Sequence, residues 1–414
     1  MKHFHLKHLL FMIFMLLLVT SILLLYTDRQ TPTLPAHIRQ VKKLSQWLIK
    51  RNTRHSPTNY TTGHFTWNTE KGRRSWTYYN GLMMDAFARL GETDFVNDFY
   101  SANILPNGKI NNITNPNNVF TGTDIDSVEP ARAIFLLDAS KYTNTLLLIY
   151  NYLSQYPTQA NLGNNYLHKL QHPLWKTYPF ALDGLYMALP FLALMANHAS
   201  SDKAFQQIKP QEIYDTIFDR MDWVATHLKD EKTGLYYHGA DNYGRPNGVV
   251  WLRGVGYYAM TQVDLIELLP DGKRKEKLKQ DLLLFLDAML QKQDVRTGLW
   301  RNVVNAPDNL SDNLFETSGS AMMAYTLLKT YNDGITTDTK YLQAGLKAFQ
   351  GIMSNKVHQG VGGYQVQDIY KSSSVFSDPA RYCLKEKYVQ NEAKGIAPLF
   401  FATVETERWL LKKT

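Results

Sequence analysis

The heptapeptide DEKTGLY at residues 230–236 returns in nearly the same form, DVRTGLW, at residues 294–300. Each copy leads into a Gly-rich helix start, RGVG at residues 253–256 after the first copy and SGS at residues 318–320 after the second. A period of ~65 residues that contains two helices and one loop is typical of a repeated helical hairpin. The repeat therefore predicts a fold that is built from helical hairpins.

Amphipathic helical patterns recur on both sides of these loops. Val255, Ala259, Val263, Ile266 and Leu269, for example, place apolar side chains on one helical face. No comparable set of alternating strands occurs in the sequence. We predict helices at residues 37–52, 76–90, 93–102, 127–139, 141–156, 184–199, 210–229, 253–269, 272–292, 316–331, 337–355 and 391–412.

These helices, taken as six hairpins, predict an all-α fold, a closed (α/α)6 barrel or six-hairpin toroid. The long loops would gather at one end, where a rigid barrel can hold a binding site. An open helical solenoid is the alternative. The aromatic and Gly residues of the loops, in place of a uniform repeat consensus, favour the closed toroid.

An apolar run at residues 9–26, interrupted only by Thr20 and Ser21, precedes the helical body. As a helix this run is about 27 Å long, close to the thickness of a bilayer core. Lys2 and Lys7 favour a cytoplasmic N-terminus and an exported body. We predict a signal anchor or signal peptide at residues 1–26, a linker at 27–36 and one (α/α)6 domain at 37–414. The uncleaved membrane anchor is favoured, because no small-residue cleavage pattern follows the run.

The charge balance and the cysteine count exclude several classes of protein. The 414 residues carry 45 Lys and Arg against 37 Asp and Glu, a net charge of +8 without the dense basic runs that nucleic acids attract. This mild excess suits a small anionic substrate. Cys383 is the one cysteine, which excludes an internal disulfide and a Cys-based metal cluster. No zinc-protease, Walker or EF-hand pattern occurs, so we predict neither a metal nor a cofactor. The sequence also gives no sign of an obligatory protein partner.

The strongest candidate for chemistry is Asp183, which stands in the stretch FALDGLYMALPFLALM at residues 180–195. The helix predicted from Gly184 onward carries that glycine in its first turn and Pro190 in its interior. Breaks of local rules in a very apolar helix often occur where a site is shaped. Asp is also a favoured N-cap residue, so a helix cap without chemistry is the alternative.

Other loop-to-helix junctions also place polar groups among aromatic residues. A sugar site needs this combination, because sugar rings pack on aromatic faces and hydroxyls take hydrogen bonds. The candidates are Trp76 and Tyr79 in WTYYNG, the pair Asp124 and Asp126, His238, Trp251 and Arg253 in WLRG, and Glu316 and Ser318 in ETSGS.

Several of these candidates also have a purely structural interpretation. Trp76 and Tyr79 could belong to the core, and His238 could be a satisfied structural histidine. Arg253 could pair with a carboxylate on a neighbouring helix, although a guanidinium also suits the carboxylate of an anionic ligand. Glu316 could belong to a hydrogen-bond cluster at a helix start.

Motifs in order along residues 38–412 resemble the unsaturated glucuronyl and rhamnogalacturonyl hydrolases of glycoside hydrolase families 88 and 105. The forms WLRGVG and ETSGSA are more similar to family 105. The resemblance implies an (α/α)6 barrel that acts on oligosaccharides left by polysaccharide lyases, whose terminal uronic acid has a C4=C5 double bond. It rests on SWTYYNGLMMDAFARLGE, TDIDSVEPARAIF, FALDGLYMALPFLA, WLRGVGYYAMTQVDLIELLP, TGLWRNVV, FETSGSAMMAY and NEAKGIAPLFFA.

The resemblance also implies residue roles and a mechanism. Asp183 matches the general acid/base, which protonates C4 before water adds at C5, and Asp126 matches a second carboxylate. Trp251, Arg253 and His238 fall where relatives contact the sugar. The other expected substrate-binding residues are Trp76, Tyr79, Glu316, Ser318 and Tyr257, which stands in place of the family's Trp.

The apolar flanks of Asp183 and the nearby Asp126 favour a raised pKa for Asp183, although a helix N-terminus acts in the other direction. Two other functions stay open. An inverting glycosidase would act on saturated sugars with two carboxylates. A carbohydrate-binding barrel would need the aromatic residues and Arg253, but not a buried acid.

Overall fold

The structure is a computed structural model that describes residues 33–53, 76–110, 124–169, 172–200, 202–307 and 309–413. The predicted membrane segment at residues 9–26 lies outside these ranges, so the anchor and the export stay predictions. Among the described residues, no helix is both long and apolar enough to span a bilayer. The first helix begins at Leu34, inside the segment predicted as a linker.

The described part of the chain is mostly helical. One of its long helices is a 3₁₀ helix, Ile125–Leu136. The α-helices are α1 (Leu34–Thr53), α2 (Tyr78–Arg89), α3 (Thr93–Asn103), α4 (Thr143–Ser154), α5 (Asp183–Ala199), α6 (Pro210–His227), α7 (Leu252–Leu268), α8 (Lys273–Leu290), α9 (Thr317–Asn332), α10 (Thr339–Asn355) and α11 (Ala393–Leu411).

All the predicted helices are present, with one change of type. The segment predicted as an α-helix at residues 127–139 is the 3₁₀ helix, and it holds Pro130 in its interior. Proline has no N–H and its ring crowds the carbonyl four residues earlier, so a regular α-helix is disfavoured there.

Six helices form a closed inner ring. Each contacts the next in the order α2, 3₁₀ helix, α5, α7, α9 and α11, and α11 returns to α2. The other six, α3, α4, α6, α8, α10 and α1, pack outside, each against the ring helix that precedes or follows it in this order. An inner ring with an outer layer is the arrangement that the predicted (α/α)6 barrel requires, whereas an open solenoid would leave the ring unclosed.

The two copies of the repeated heptapeptide form the same turn. The N–H of Gly234 donates to the carbonyl of Asp230 at 2.7 Å, and that of Gly298 donates to the carbonyl of Asp294 at 2.8 Å. Both glycines have a positive φ, 73° and 75°, which other residues adopt only with strain. The repeat seen in the sequence is therefore a repeat of structure.

The strands are short antiparallel pairs in the loops. One pair, Phe180–Ala181 with Gly239–Ala240, places the residues just after the first strand beside those just before the second. The other pairs are Thr158–Gln159 with Asn165–Tyr166, Val357–Gly360 with Gly363–Val366, and Ile369–Tyr370 with Tyr388–Val389.

Candidate active site

A cavity of about 310 Å³ lies where the inner helices begin. Four neighbouring members of the ring contribute to its wall with residues at or near their N-terminal ends. These residues are Tyr78 and Tyr79 of α2, Asp126 of the 3₁₀ helix, Asp183 of α5, and Trp251 and Arg253 at the start of α7. Loops complete the wall with His168, Lys169, His172, Leu174, Trp175, Ser372, Ser373, Ser374, Phe376 and Lys387, and Met187 and Tyr257 add to it from α5 and α7.

Asp183 is held by a chain of hydrogen bonds that starts outside the cavity. Its Oδ2 lies 3.0 Å from Nε2 of His238, and Nδ1 of His238 lies 2.8 Å from the hydroxyl of Tyr382. The Tyr382 oxygen accepts from the N–H of Phe376 at 2.9 Å and from the amide of Asn247 at 3.3 Å. The hydroxyl then has its one proton to donate, and Nδ1 of His238 at 2.8 Å is a closer acceptor than the carbonyl of Phe376 at 3.4 Å. A carboxylate only accepts, so Nε2 of His238 donates its proton to Asp183.

Two sequence-based interpretations change in this light. Asp183 is not a helix cap: the N-cap of α5 is Leu182, and no side chain caps the helix. His238 is fully buried and lies outside the cavity wall, so the structure does not place it where the predicted contact with substrate would occur. It positions Asp183 instead.

The pKa of Asp183 lies below its ordinary value. Burial raises this pKa, but the hydrogen bond from His238 and the positive charges of the surroundings, Arg253 included, outweigh burial. The prediction of a raised pKa is therefore wrong. The sequence around Asp183 indicates its burial but not its hydrogen-bond donor. That donor, His238, comes from a loop that the strand pair places beside Asp183.

Asp126 lies at the second acidic position of the cavity. Its Oδ2 is 3.0 Å from Nζ of Lys169, and its Oδ1 is 3.8 Å from Nε2 of His168. Burial lowers the pKa of His168, whose ring packs on Trp175 with the ring centroids 4.3 Å apart. Lys169 is therefore the cation that balances Asp126 at neutral pH. Asp124 also contacts Lys169, at 3.4 Å, but does not line the cavity.

Arg253 presents part of its guanidinium to the cavity. Its Nη1 donates to Oγ of Ser318 at 3.1 Å and to the carbonyl of Tyr370, and the guanidinium carbon lies 4.5 Å from the ring centroid of Trp251. Within the described residues, Nε and Nη2 donate no hydrogen bond. Two nitrogens, with three N–H groups between them, are thus left for an anionic ligand.

Glu316 and Ser318 lie behind Arg253 and outside the cavity wall. Glu316 caps α9: it accepts from the N–H of Ser318 at 3.0 Å, of Gly319 at 2.7 Å and of Tyr370 at 3.0 Å. Both side chains are fully buried. The structure thus shows the helix-start cluster, and it does not bring either side chain to the cavity where the predicted contact with substrate would occur.

The predicted aromatic residues divide between cavity and core. Tyr79, Trp251 and Tyr257 line the cavity. Trp76 does not, because its indole N–H donates to the carbonyl of Ser127 at 2.9 Å and its ring packs on Tyr100. The core interpretation is thus correct for Trp76.

The sequence did not single out several residues of the site. Tyr78 is next to Tyr79 in the same motif and could have been included. His168, Lys169, Tyr382 and Lys387 come from loops far along the chain, and no local spacing marks them. Within the residues that the structure describes, no three His, Cys, Asp or Glu side chains converge in a way that could hold a metal ion.

Comparisons with known proteins agree with this architecture. A glycoside hydrolase of family 105 from C. acetobutylicum ATCC 824 is 24% identical, with a TM-score of 0.72 over 89% of this chain and 99% of that one. The unsaturated glucuronyl hydrolase of Bacillus sp. GL1 is 12% identical, with a TM-score of 0.63 over 91% and 97% of the two chains. At these identities the likeness concerns the fold.

Sequence relatives point the same way. The "24.9 kDa protein in picA locus" of Rhizobium radiobacter is 30% identical over 218 residues, which is 48% of this chain and 92% of that protein. Residues 41–410 match the family described as Glycosyl Hydrolase Family 88. The protein therefore belongs to glycosyl hydrolase family 88 and is a glycoside hydrolase.

Proposed function

We propose that this hydrolase removes the terminal Δ4,5-unsaturated uronic acid from oligosaccharides that polysaccharide lyases produce. The observation that carries the proposal is one cavity that combines the partly buried acid Asp183 with cationic groups for a uronate. Arg253, Lys169 and Lys387 supply positive charge to its wall. The structural neighbour from Bacillus sp. GL1 is an unsaturated glucuronyl hydrolase, which supports the same substrate class for this protein.

The uronate carboxylate would bind to Arg253. Hydrogen bonds between a guanidinium and a carboxylate are charge-assisted and directional, and Nε and Nη2 of Arg253 are available for them. Trp251, Tyr79 and Tyr257 offer ring faces for the sugar. Asp126, fixed by Lys169, would accept hydrogen bonds from sugar hydroxyls.

Binding of the substrate would make Asp183 an acid. In the free protein His238 and the nearby positive charges favour the carboxylate. A bound uronate neutralises the positive charge of Arg253 and excludes water, and both effects raise the pKa of Asp183. A proton would then be held on Asp183 beside the double bond.

The reaction would proceed by hydration of a vinyl ether. Asp183 gives its proton to C4, and the electron pair of the C4=C5 bond forms the new C–H bond, which leaves an oxocarbenium ion at C5 and the ring oxygen. Water adds to C5 and returns a proton to the Asp183 carboxylate. The hemiketal opens by breaking the bond between C5 and the ring oxygen, and the hemiacetal left at C1 then releases the shortened oligosaccharide.

Two carboxylates at one cavity would also equip an inverting glycosidase for saturated sugars, with Asp183 and Asp126 as acid and base. The two functions differ in their substrate. A panel of lyase-made unsaturated disaccharides and their saturated counterparts separates them, because only hydration of the double bond removes its ultraviolet absorbance. We expect loss of absorbance with at least one unsaturated member and no cleavage of the saturated set. Cleavage of saturated members alone would contradict the proposal.

We further propose that residues 9–26 attach the enzyme to a membrane after export. The support is the apolar run and the lysines that precede it. Fractionation of cells that produce the full chain, beside a chain that starts at residue 35, tests this. The full chain should sediment with membranes and the shorter one should not.

A further inference from the structure

A second cavity, of about 320 Å³, lies on the outer layer of the barrel. Its walls come from α4, from the strand pair Thr158–Gln159 with Asn165–Tyr166, and from α6. It shares no wall residue with the catalytic cavity. The proposed reaction gives it no role.

Arg220 of α6 lines this cavity and has no counter-charge. The residue is 6% exposed, and its Nε and Nη1 are buried without a hydrogen-bond acceptor. Within the described residues, none of its nitrogens donates a hydrogen bond or forms an ion pair. Its guanidinium lies instead over an aromatic ring, with the guanidinium carbon 3.7 Å from the ring centroid of Tyr166.

The other charges near Arg220 are already paired. Lys209 and Glu212 line the cavity as well, but they bond to each other at 2.7 Å and are largely exposed. On the same helix, Asp219 and Asp222 both bind Arg274, at 2.7 Å and 2.8 Å. The cavity therefore keeps one uncompensated positive charge. A buried donor without an acceptor is unfavourable, and in native proteins such a group is satisfied by a water, an ion or a ligand.

The remaining wall suits a sugar. Tyr150, Tyr156 and Tyr166 supply ring surface. Ser154 and Thr216 add hydroxyl groups. Aromatic faces with scattered hydroxyls match the alternating apolar and polar surfaces of a pyranose.

We infer that this cavity is a second saccharide site, which binds the carboxylate of an acidic sugar through Arg220. One net positive charge matches a monoanionic carboxylate better than a dianionic phosphate, and a planar guanidinium can hold both oxygens of a carboxylate. The site needs the carboxylate and the ring, but no C4=C5 double bond. The inference therefore goes beyond the proposed reaction and does not depend on it.

The test is a calorimetric titration of the full chain with sodium D-glucuronate, a saturated acidic sugar. We expect one equivalent of glucuronate to bind at this cavity. Arg220→Met should weaken the affinity for this glucuronate about tenfold or more, because two charge-assisted hydrogen bonds are lost. Arg274→Met is the matched control, since it removes the same charge near the same helix and should leave this equivalent unchanged. Hydrolysis by Arg220→Met should equal that of the unaltered protein.

A second variant covers the case in which Arg220→Met does not fold. Thr216 is exposed on α6 and lines the cavity, so Thr216→Trp fills the space while it keeps Arg220. This variant should no longer bind the equivalent of glucuronate that depends on Arg220. Wild-type binding in either folded variant, or no bound glucuronate at all, would overturn the inference. Equal displacement of glucuronate by sodium acetate would overturn its saccharide part, because the ring would then add nothing.

Discussion

At the scale of single residues, the ionisation of Asp183 depends on a donor 55 positions away in the sequence. The motif around Asp183 was sufficient to predict an acid in an apolar setting, and the structure places this residue at the cavity. It was not sufficient to predict the direction of the pKa shift. His238 reaches Asp183 only through the strand pair that joins their loops, and Tyr382 fixes the His238 proton from a third loop.

The variant His238→Phe should move the pH dependence of kcat/KM upward. It removes the N–H donor of Asp183 while the burial that raises its pKa remains. If free Asp183 must be protonated to act, kcat/KM falls as the pH rises through the Asp183 pKa, and a higher pKa carries this fall to higher pH. A pH profile on an unsaturated disaccharide measures the shift.

The control for this variant is His238→Gln, whose amide can still donate to Asp183 and should keep the profile closer to the original. If kcat/KM of His238→Phe decreased at the same pH as in the unaltered protein, or at a lower pH, this hydrogen bond would not set the acidity of Asp183.

At the scale of elements, the sequence was most informative about the helices. Periodicity predicted all of them, and the repeated heptapeptide marked two equivalent turns. It did not give the 3₁₀ geometry at Ile125–Leu136, because the effect of Pro130 on the rest of a helix depends on its packing. It left open whether Glu316 and Ser318 belong to a helix-start cluster or face the cavity, and the structure shows them packed behind Arg253. Which side chains of a first helical turn face a cavity depends on how the neighbouring elements pack against the helix.

The contact between α2 and the 3₁₀ helix should be sensitive to Gly81→Ala. A Cβ at this position would overlap the Glu129 carboxylate and lie 2.6 Å from the Cα of Pro130. We expect a loss of about 1–3 kcal/mol in the free energy of unfolding, measured by denaturant titration. Gly360→Ala is the control, since nothing lies within 4 Å of its Cβ. Equal stability of the two variants would contradict this packing.

The cap of α9 should contribute to both stability and substrate affinity. Glu316→Ala leaves three buried N–H groups without their acceptor, so we expect a loss of about 3 kcal/mol. Arg253 also loses a nearby carboxylate, so KM should rise. Asp338→Ala, at the exposed cap of α10, should cost about 1 kcal/mol and leave KM unchanged. An unaltered KM in folded Glu316→Ala would show that Glu316 does not hold Arg253 in place.

At the scale of the whole molecule, a buried charged cluster ties the inner ring together. Arg132 of the 3₁₀ helix lies 3.6 Å from Asp85 of α2 and 3.1 Å from Asp264 of α7. Asp264 accepts a hydrogen bond from Tyr325 of α9 at 2.6 Å, and Arg132 packs over Tyr186 of α5. Five of the six ring helices therefore meet at one cluster. The helix count predicted the ring, but nothing local connected residues so distant in sequence.

Arg132→Met should destabilise the entire barrel. It leaves Asp85 and Asp264 buried near neutral pH with less positive charge, which costs about 3–5 kcal/mol. Helical circular dichroism and tryptophan fluorescence should be lost together at a lower denaturant concentration. The surface variant Arg274→Met should change stability by no more than about 1 kcal/mol. A local loss of structure in Arg132→Met, with the rest of the barrel unchanged, would contradict this account of the cluster.

The central claim is that Asp183 delivers a proton to the double bond of a bound unsaturated uronate. The most direct measurement compares the unaltered protein with Asp183→Asn on one unsaturated disaccharide, by the loss of its ultraviolet absorbance. Our account predicts rapid loss with the unaltered protein, a rate lower by roughly 10²–10⁴-fold with Asp183→Asn, and retained binding of the disaccharide by that variant. Comparable rates for the two proteins, or release of sugar while the absorbance persists, would contradict it.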